Sequence, residues 1–101
     1  MEGVLRAIAD PHRREILGLV LDEERSAGEI AAHFEITRPA VSQHLAVLRQ
    51  AGLVRERREG NRRLYQACPE ALADVRSFIE GFWTDHLRRL KAAAEHESRR
   101  E

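Results

Sequence analysis

The chain has 101 residues, enough for one domain with a modest hydrophobic core, and it is 43% apolar and 34% charged, as globular proteins are. No apolar run approaches the length that spans a membrane, and the N-terminus lacks the basic and apolar segments of a signal peptide, which predicts a cytoplasmic protein. The formal net charge is zero, and the single cysteine, Cys68, excludes an intrachain disulfide framework and is expected to be half-buried.

Two short helices are predicted at the N-terminus. Asp10 followed by Pro11 separates them, because Asp caps a helix and Pro fits its first turn. The second helix is expected to run to about Leu21, followed by a charged loop over residues 22–25. The apolar positions assigned to the two helices are Val4, Leu5, Ile8, Ile16, Leu17 and Val20.

A helix-turn-helix is predicted next. A capping box from Ser26 to Glu29 opens a third helix over residues 27–34. The fourth helix follows at once, because Thr37 can cap it, Pro39 fits its first turn and Gly52 comes after its last periodic residue. Two short helices joined by a tight turn are typical of this DNA-binding motif.

The fourth helix has a polar face that suits a DNA major groove. Val41, Leu45 and Leu48 recur at helical spacing and predict the buried face. Arg can pair with guanine, Gln with adenine, and Ser with a base or a phosphate. The opposite face carries Arg38, Ser42, Gln43 and Arg49. The alternative interpretation is an ordinary solvated helix face.

A β-hairpin is predicted after the fourth helix. Two short runs, residues 53–58 and 62–67, flank a turn that contains Gly60 and Asn61. The hairpin tip carries Arg57, Arg58, Arg62 and Arg63. An edge hairpin that uses charge to prevent aggregation is one interpretation. A basic hairpin beside a recognition helix is also typical of a wing, which contacts phosphates or the minor groove.

The basic residues are concentrated in the central third of the chain. Residues 37–67 hold seven Arg against two acids, a balance of +5. Residues 1–36 hold four Arg against eight acids, and residues 68–101 hold six bases against seven acids. Such a local excess of Arg is typical of a face that binds phosphates, despite the zero net charge.

A long amphipathic helix is predicted from Pro69 to Glu95, about 40 Å in length. A domain this small cannot cover such a helix with its own surface, which predicts a homodimer. We expect one domain over residues 1–97 and a frayed charged tail over residues 98–101. The predicted dimer interface comprises Val4, Leu5, Ile8, Phe78, Phe82, Trp83, Leu87 and Leu90.

These residues resemble the ArsR-type winged-helix transcriptional repressors. The resemblance runs through residues 5–17 and 29–31, is tightest over residues 38–54, and ends with the Arg-rich wing. It implies a mainly α-helical winged helix-turn-helix, with four helices, a small β-hairpin and a fifth helix. It also implies a dimer, formed by the first and last helices, that represses transcription from a palindromic operator in double-stranded DNA. The predicted DNA-contacting residues are Thr37, Arg38, Pro39, Ser42, Gln43, His44, Arg49, Arg57, Arg58, Asn61, Arg62 and Arg63.

The chain departs from the metal-sensing members of that family. Such members carry a Cys-x-Cys-type site on the helix before the turn, whereas residues 26–31 contain no thiol. Others bind zinc through acids and His on the last helix, which here offers Asp85, His86, Glu95 and His96. The two His are ten residues apart and point about 80° apart around the helix. We therefore predict no metal or cofactor, with a metal-responsive repressor using the last helix as the alternative.

Enzymatic activity is not expected. The sequence has no Gly-rich phosphate loop, nucleophile elbow or metal-ligand quartet. The second hypothesis for function is a winged helix that binds protein, in which the basic face meets an acidic partner. Salt-dependent binding to random duplex DNA distinguishes the two hypotheses, because only the DNA-binding one predicts it.

Overall fold

The computed structural model describes the backbone of residues 1–100 and the side chains of residues 1–99. Its elements in chain order are α1 (Glu2–Ile8), α2 (Pro11–Leu19), β1 (Arg25–Ser26), α3 (Ala27–Ala31), α4 (Arg38–Gln50), β2 (Val54–Glu59), β3 (Arg62–Ala67) and α5 (Pro69–Arg100). The predicted architecture, a mainly α-helical winged helix-turn-helix, is confirmed, with one additional short strand before α3.

The predicted N-terminal caps of the helices are confirmed. Asp10 caps α2, since its Oδ1 accepts hydrogen bonds from the backbone N–H groups of His12 at 2.8 Å and Arg13 at 3.3 Å. Partial burial raises the pKa of the Asp10 carboxyl, but these two hydrogen bonds outweigh it and the pKa lies below its ordinary value. Ser26 and Glu29 form a reciprocal capping box at the start of α3. The helix starts are therefore determined by local sequence.

The recognition helix α4 is closed at both ends. At its start, Thr37 Oγ1 accepts a hydrogen bond from the backbone N–H of Ala40 at 3.2 Å. At its end, the N–H of Gly52 donates to the carbonyl of Arg49, and the N–H of Leu53 donates to the carbonyl of Leu48. Gly52 has φ 78°, so this is a Schellman termination that a residue with a side chain would strain. The predicted helix boundaries are confirmed.

Loss of the α4 cap should weaken the fold without touching its core. We expect Thr37→Ala to lower the free energy of unfolding by about 1 kcal/mol, because the Ala40 N–H loses its partner. Urea denaturation measures this change. Thr37→Ser keeps the hydroxyl and serves as the control. Equal stability of the Ala variant and the wild type would contradict a stabilising role for the cap.

Two helices end earlier than predicted. Helix α2 ends at Leu19 rather than Leu21, and α3 ends at Ala31 rather than Phe34. After α3 the chain stays tightly wound, because the N–H groups of His33 and Phe34 each bond to the carbonyl three residues earlier. These tighter turns keep the apolar residues at nearly helical spacing in the sequence, but their hydrogen bonds are not those of an α-helix. Periodicity alone therefore predicts a longer helix than the structure contains.

One hydrophobic core joins the five helices with strands β2 and β3. Helix α4 contributes Val41, Leu45 and Leu48, each at most 1% exposed, which confirms its predicted buried face. The predicted inward positions of α2 are also buried. The core consists of Ala7, Ile16, Leu17, Val20, Ile30, Val41, Leu45, Leu48, Leu53, Val54, Tyr65, Ala67 and Val75. Because α4 is packed against this core from behind, its polar face is held outward.

The sheet has three antiparallel strands in the order β1-β3-β2. Strands β2 and β3 form the predicted hairpin, with Glu59 opposite Arg62 and a two-residue turn in which Gly60 has φ 60°. The loop predicted over residues 22–25 is wrong at Arg25, which pairs with Tyr65 as part of β1. A two-residue strand has no periodicity of its own, and only its pairing with a distant strand defines it.

Helix α5 is longer than predicted. It contains 32 residues, about 48 Å, and continues past Glu95 to Arg100. No Gly or Pro follows Gly81, and residues 92–94 are all Ala, the strongest helix former. Of the predicted tail, residues 98–100 are helical and Glu101 lies outside the described residues. None of the helices in the described part of the chain combines the length and apolar character that crossing a membrane requires.

Candidate nucleic-acid interface

The outward face of α4 carries the polar groups that were predicted to read DNA. Ser42 and Gln43 are both exposed, in the first half of the helix. Their neighbour Val41 is fully buried, so the helix cannot rotate without exposing its apolar side. The hydroxyl of Ser42 and the amide of Gln43 are therefore presented to solvent in a fixed orientation, as direct contact with base edges requires.

A basic pocket lies between the start of α4 and the hairpin. Its volume is about 350 Å³. The polar residues that line it are Arg38, Ser42, Asn61, Arg62 and Arg63. All five were predicted to contact DNA, and the fold brings them together from segments about twenty residues apart. Three guanidinium groups beside a hydroxyl and an amide form a surface that suits a phosphate.

We call the hairpin (residues 54–67) the wing. Its residue Glu56 contacts Arg49 near the end of α4. Arg49 Nη1 donates to Glu56 Oε2 at 2.5 Å, and Arg63 Nε lies 3.5 Å from Glu56 Oε1. The Glu56 side chain is only 18% exposed. Arg49 therefore faces the base of the wing, and its predicted DNA contact stays a prediction. The Arg49–Glu56 ion pair thus connects the wing to the recognition helix.

Two further wing arginines have acidic partners from the N-terminal third of the chain. Arg57 donates to both carboxylate oxygens of Glu24, at 2.9 and 3.0 Å, and to Glu59 at 3.1 Å. These hydrogen bonds from Arg57 to Glu24 raise the pKa of Arg57 and lower the pKa of Glu24. Arg62 Nη2 donates to Glu29 Oε1 at 2.6 Å. Sequence reasoning missed both pairs, because each spans 33 residues.

Arg58 is exposed on the wing and lies directly opposite Arg63 in the β2-β3 register. Like charges in directly opposed positions destabilise an antiparallel pair. An anion between the two guanidinium groups would remove that repulsion. Asn61 is exposed beside them at the turn. The wing tip thus presents exposed guanidinium groups and an amide to solvent.

His44 supports α4 from the side rather than extending from its polar face. It is half-buried, its ring centroid lies 5.6 Å from that of His12, and its Nδ1 lies 3.5 Å from Arg13 Nη1. The side chains of Asp10, His12 and His44 form a cluster whose possible metal-ligand atoms all lie within 4.8 Å of one another. Arg13 Nε donates a hydrogen bond to the Ala7 carbonyl at 2.6 Å, which holds the guanidinium beside this cluster. The positive charge of the guanidinium disfavours the binding of a metal cation there.

Two other predicted DNA contacts lie at the start of α4. Thr37 uses its hydroxyl to cap the helix, and Pro39 is exposed in the first turn. Both positions are next to Arg38, which lines the basic pocket. The side chain of Thr37 therefore has a structural role, whatever its contribution to DNA binding.

An apolar groove runs along α5 on the outside of the molecule. Leu5 of α1 lines it together with Phe78, Ile79, Phe82 and Trp83. Further along the helix, the stripe continues with two strongly exposed side chains, Leu87 at 58% and Leu90 at 64%. Of the other residues predicted at the dimer interface, Val4 and Ile8 are half-buried against the chain's own core, and their place at an interface stays a prediction.

The potential metal ligands of α5 are separated along the helix. His86 is half-buried, and its Nδ1 donates a hydrogen bond to the Phe82 carbonyl at 3.0 Å. The ring centroids of Phe82 and His86 are 4.0 Å apart. His96 lies ten residues later, about 15 Å along the axis. His86 and His96 of the same chain are therefore too far apart to bind the same metal ion.

Comparison with known proteins identifies the family. Residues 10–56 match the bacterial regulatory protein, arsR family. The chain is 44% identical to the HTH-type transcriptional regulator Rv2034 of Mycobacterium tuberculosis over 82 residues, which cover 81% of this chain and 77% of that protein. It is 38% identical to the transcriptional repressor SdpR of Bacillus subtilis, over 81% of this chain and 91% of that protein.

The fold comparison agrees. The crystal structure of a possible transcriptional regulator for arsenical resistance superposes with a TM-score of 0.77 at 40% identity, and covers 91% of this chain and 95% of that chain. The matched proteins are named as regulators of transcription, in agreement with the prediction that the chain is not an enzyme. The chain therefore belongs to the ArsR family of bacterial regulatory proteins and is a DNA-binding transcriptional regulator with a winged helix-turn-helix fold.

Proposed function

We propose that the protein is a homodimeric repressor that binds a palindromic operator in double-stranded DNA. The observation that carries this proposal is the basic pocket, where Arg38 at the start of the recognition helix meets Arg62 and Arg63 of the wing. The exposed Ser42 and Gln43 lie on the same helix. Backbone-binding and base-reading groups thus occupy one side of the molecule, as sequence-specific DNA binding requires.

The two kinds of group have different tasks. Arg38, Arg58 and Arg63 would neutralise phosphates and fix the position of α4 along the duplex. Gln43 would then read a base edge in the major groove, where a bidentate amide pairs with adenine. Ser42, one residue earlier, can donate to a base or to a phosphate. The wing would contact the backbone beside the groove that α4 enters.

Repression is the direction that the relative SdpR suggests, since it is named a transcriptional repressor. A dimer that covers an operator excludes other proteins from the same DNA. A function on genomic DNA also implies a cytoplasmic location. We further propose that release does not use a thiolate site at α3, because residues 26–31 contain no Cys and Cys68 lies beyond β3. Elemental analysis of the purified protein tests that last point.

Base reading by Gln43 is open to direct test. We expect Gln43→Ala to weaken binding to a selected operator by about 1–3 kcal/mol and to relax the preference at one base pair of each half-site. The operator is first selected from random DNA with the purified wild type. Affinities for the selected site and for its single-base variants are then measured by fluorescence anisotropy.

Two variants serve as controls for Gln43→Ala. Gln50→Ala removes the same amide at the last residue of α4, where contact with bases is not expected, and should change binding little. Arg62→Ala combined with Arg63→Ala should weaken all sequences similarly and reduce the salt dependence. An equal loss of base preference in the wing variant and in Gln43→Ala would assign base reading to the wing.

A further inference from the structure

One arginine of the basic pocket is paired with a carboxylate outside the pocket lining. Glu29 Oε1 accepts a hydrogen bond from Arg62 Nη2 at 2.6 Å and another from the backbone N–H of Ser26 at 3.1 Å. The Ser26 hydrogen bonds, followed by the charge of Arg62, hold the pKa of the Glu29 carboxyl below its ordinary value. Glu29 is therefore ionised at neutral pH, with its carboxylate at the rim of the site where DNA is proposed to bind.

In the part of the chain that the structure describes, Arg38 and Arg63, the other two arginines of the pocket, have no carboxylate as close as that of Arg62. Arg38 packs over the first turn of α3, since a methyl group added at Gly28 would lie 3.9 Å from Arg38 Nη2. Within the described residues, no carboxylate lies within ion-pair distance of Arg38. Arg63 has only the longer contact with Glu56, at 3.5 Å. Arg62 is thus the pocket arginine with the closest acidic partner.

We propose that this pocket binds backbone phosphates of the duplex, and that Glu29 holds Arg62 until a phosphate replaces it. The inference rests on the proposed DNA-binding function and deepens it. Arg38, Arg62 and Arg63 would each pair with the oxygens of a neighbouring backbone phosphate, with the Ser42 hydroxyl and the Asn61 amide as further donors. The phosphate of the DNA backbone is the ligand, so this contact is independent of base sequence.

Arg62 can exchange Glu29 for a phosphate at little energetic cost. The side chains of Arg62 and Glu29 are 60% and 47% exposed, and an ion pair exposed to this extent contributes little to stability. A phosphate offers Arg62 a charge-assisted and bidentate partner instead. Glu29 cannot follow Arg62, because Ser26 anchors its carboxylate in the capping box. The carboxylate therefore stays in the capping box while Arg62 turns to the phosphate.

The capping box itself does not require the charge of Glu29. Gln fills the third position of a capping box as Glu does, because its side-chain oxygen also accepts from the cap residue. The charge therefore has a separate effect, which is to occupy Arg62 and to weaken attachment to DNA of any sequence. A lower non-specific affinity favours release from sites that lack the operator bases.

The test compares two single-charge removals. Glu29→Gln should tighten binding to a random-sequence duplex about two- to fivefold at about 0.1 M salt, the range that an exposed ion pair supports. Glu35→Gln removes the same charge from an exposed position in the turn between α3 and α4, and should have a smaller effect. Fluorescence anisotropy measures the affinities. Thermal unfolding verifies that both variants keep the fold.

A double-mutant cycle isolates the ion pair. In the Arg62→Ala background, Glu29→Gln should change affinity no more than Glu35→Gln does, since no Arg remains to be released. A gain that persists without Arg62, or equal gains from the two Gln variants, would overturn the inference while leaving the DNA-binding function intact. Absence of any salt-dependent DNA binding by the wild type would instead refute the proposed function.

Discussion

Binding of duplex DNA by the wild-type protein should weaken by about 10⁴ when the salt concentration rises from about 50 to 200 mM. The expected number of phosphate contacts follows from the arginines that face the DNA side. Arg38, Arg58, Arg62 and Arg63 supply about four contacts per subunit and about eight per dimer. Each contact releases about 0.9 counterion equivalents, which gives this steep dependence. Arg49 is not included, because it faces the base of the wing, where the 18% exposed side chain of Glu56 holds it.

Anisotropy titrations at several salt concentrations give the slope. Arg38→Ala should reduce the slope by about two counterion equivalents per dimer, because one contact is lost from each subunit. Arg88→Ala on α5 removes an equal charge far from α4 and should leave the slope unchanged. A wild-type slope equivalent to one or two phosphates would contradict the assignment of the central Arg residues to the backbone. No salt-dependent binding at all would favour the protein-binding hypothesis.

The sequence predicts best those features that are determined by neighbouring residues. The caps formed by Asp10, Ser26 and Thr37 each need only a side-chain oxygen and an N–H two or three residues later. The end of α4 needs only Gly52, and the wing turn needs Gly60. The buried stripe of α4 follows from its period. Each of these interactions lies within a short segment, so the order of residues reveals it directly.

Features that depend on distant pairing could not be predicted in this way. Strand β1 exists because Arg25 and Ser26 pair with the strand that contains Tyr65 and Leu64. The same pairing brings the N-terminal third of the chain beside the wing. Arg62 consequently meets Glu29, although the sequence shows only two charges separated by 33 residues. The concentration of Arg is visible in the sequence, but its partners become visible only in the fold.

The predicted DNA-binding set illustrates both cases. Periodicity places Ser42 and Gln43 correctly on the open face of α4, since Val41 and Leu45 define the opposite side. It cannot reveal that His44, one residue later, meets His12 and Arg13 of α2. That contact depends on how α2 crosses α4, which no local pattern encodes. The same reason explains why Arg49 could be assigned to DNA without knowledge of Glu56.

Replacement of Trp83 by Glu should separate a homodimer into monomers at micromolar concentration. Phe78, Phe82 and Trp83 lie along one stripe of α5 and are 44–55% exposed in the single chain. About half of the 150–250 Å² of each aromatic side chain is thus still available for burial, which for the three side chains at about 25 cal/mol per Å² represents roughly 7 kcal/mol per subunit. Leu87 and Leu90 extend the stripe, and an exposed apolar surface of this kind is typical of an interface.

A two-fold pair that buries this stripe would place Leu5 of α1 at the same interface, because Leu5 already lines the groove beside Phe82 and Trp83. It would also place the two copies of α4 about 34 Å apart, or a small multiple of that distance, on a palindromic site. Trp83→Glu replaces the central aromatic with a charge that has no partner in the stripe. We expect the dimer dissociation constant to rise at least about 10³-fold, from lost apolar burial together with desolvation of the carboxylate.

Sedimentation of the wild type, Trp83→Glu and Arg88→Glu measures this directly. Arg88 is exposed and lies about 140° from Trp83 around the helix, so its replacement changes charge on α5 while sparing the apolar stripe. The wild type and Arg88→Glu should sediment as dimers, and Trp83→Glu as a monomer with an unchanged helical content. The monomer should then bind a single half-site, with the large loss of affinity that accompanies loss of the second contact surface. A wild-type monomer that still binds a palindrome would refute the dimer, whereas a dimeric Trp83→Glu would move the interface away from this stripe.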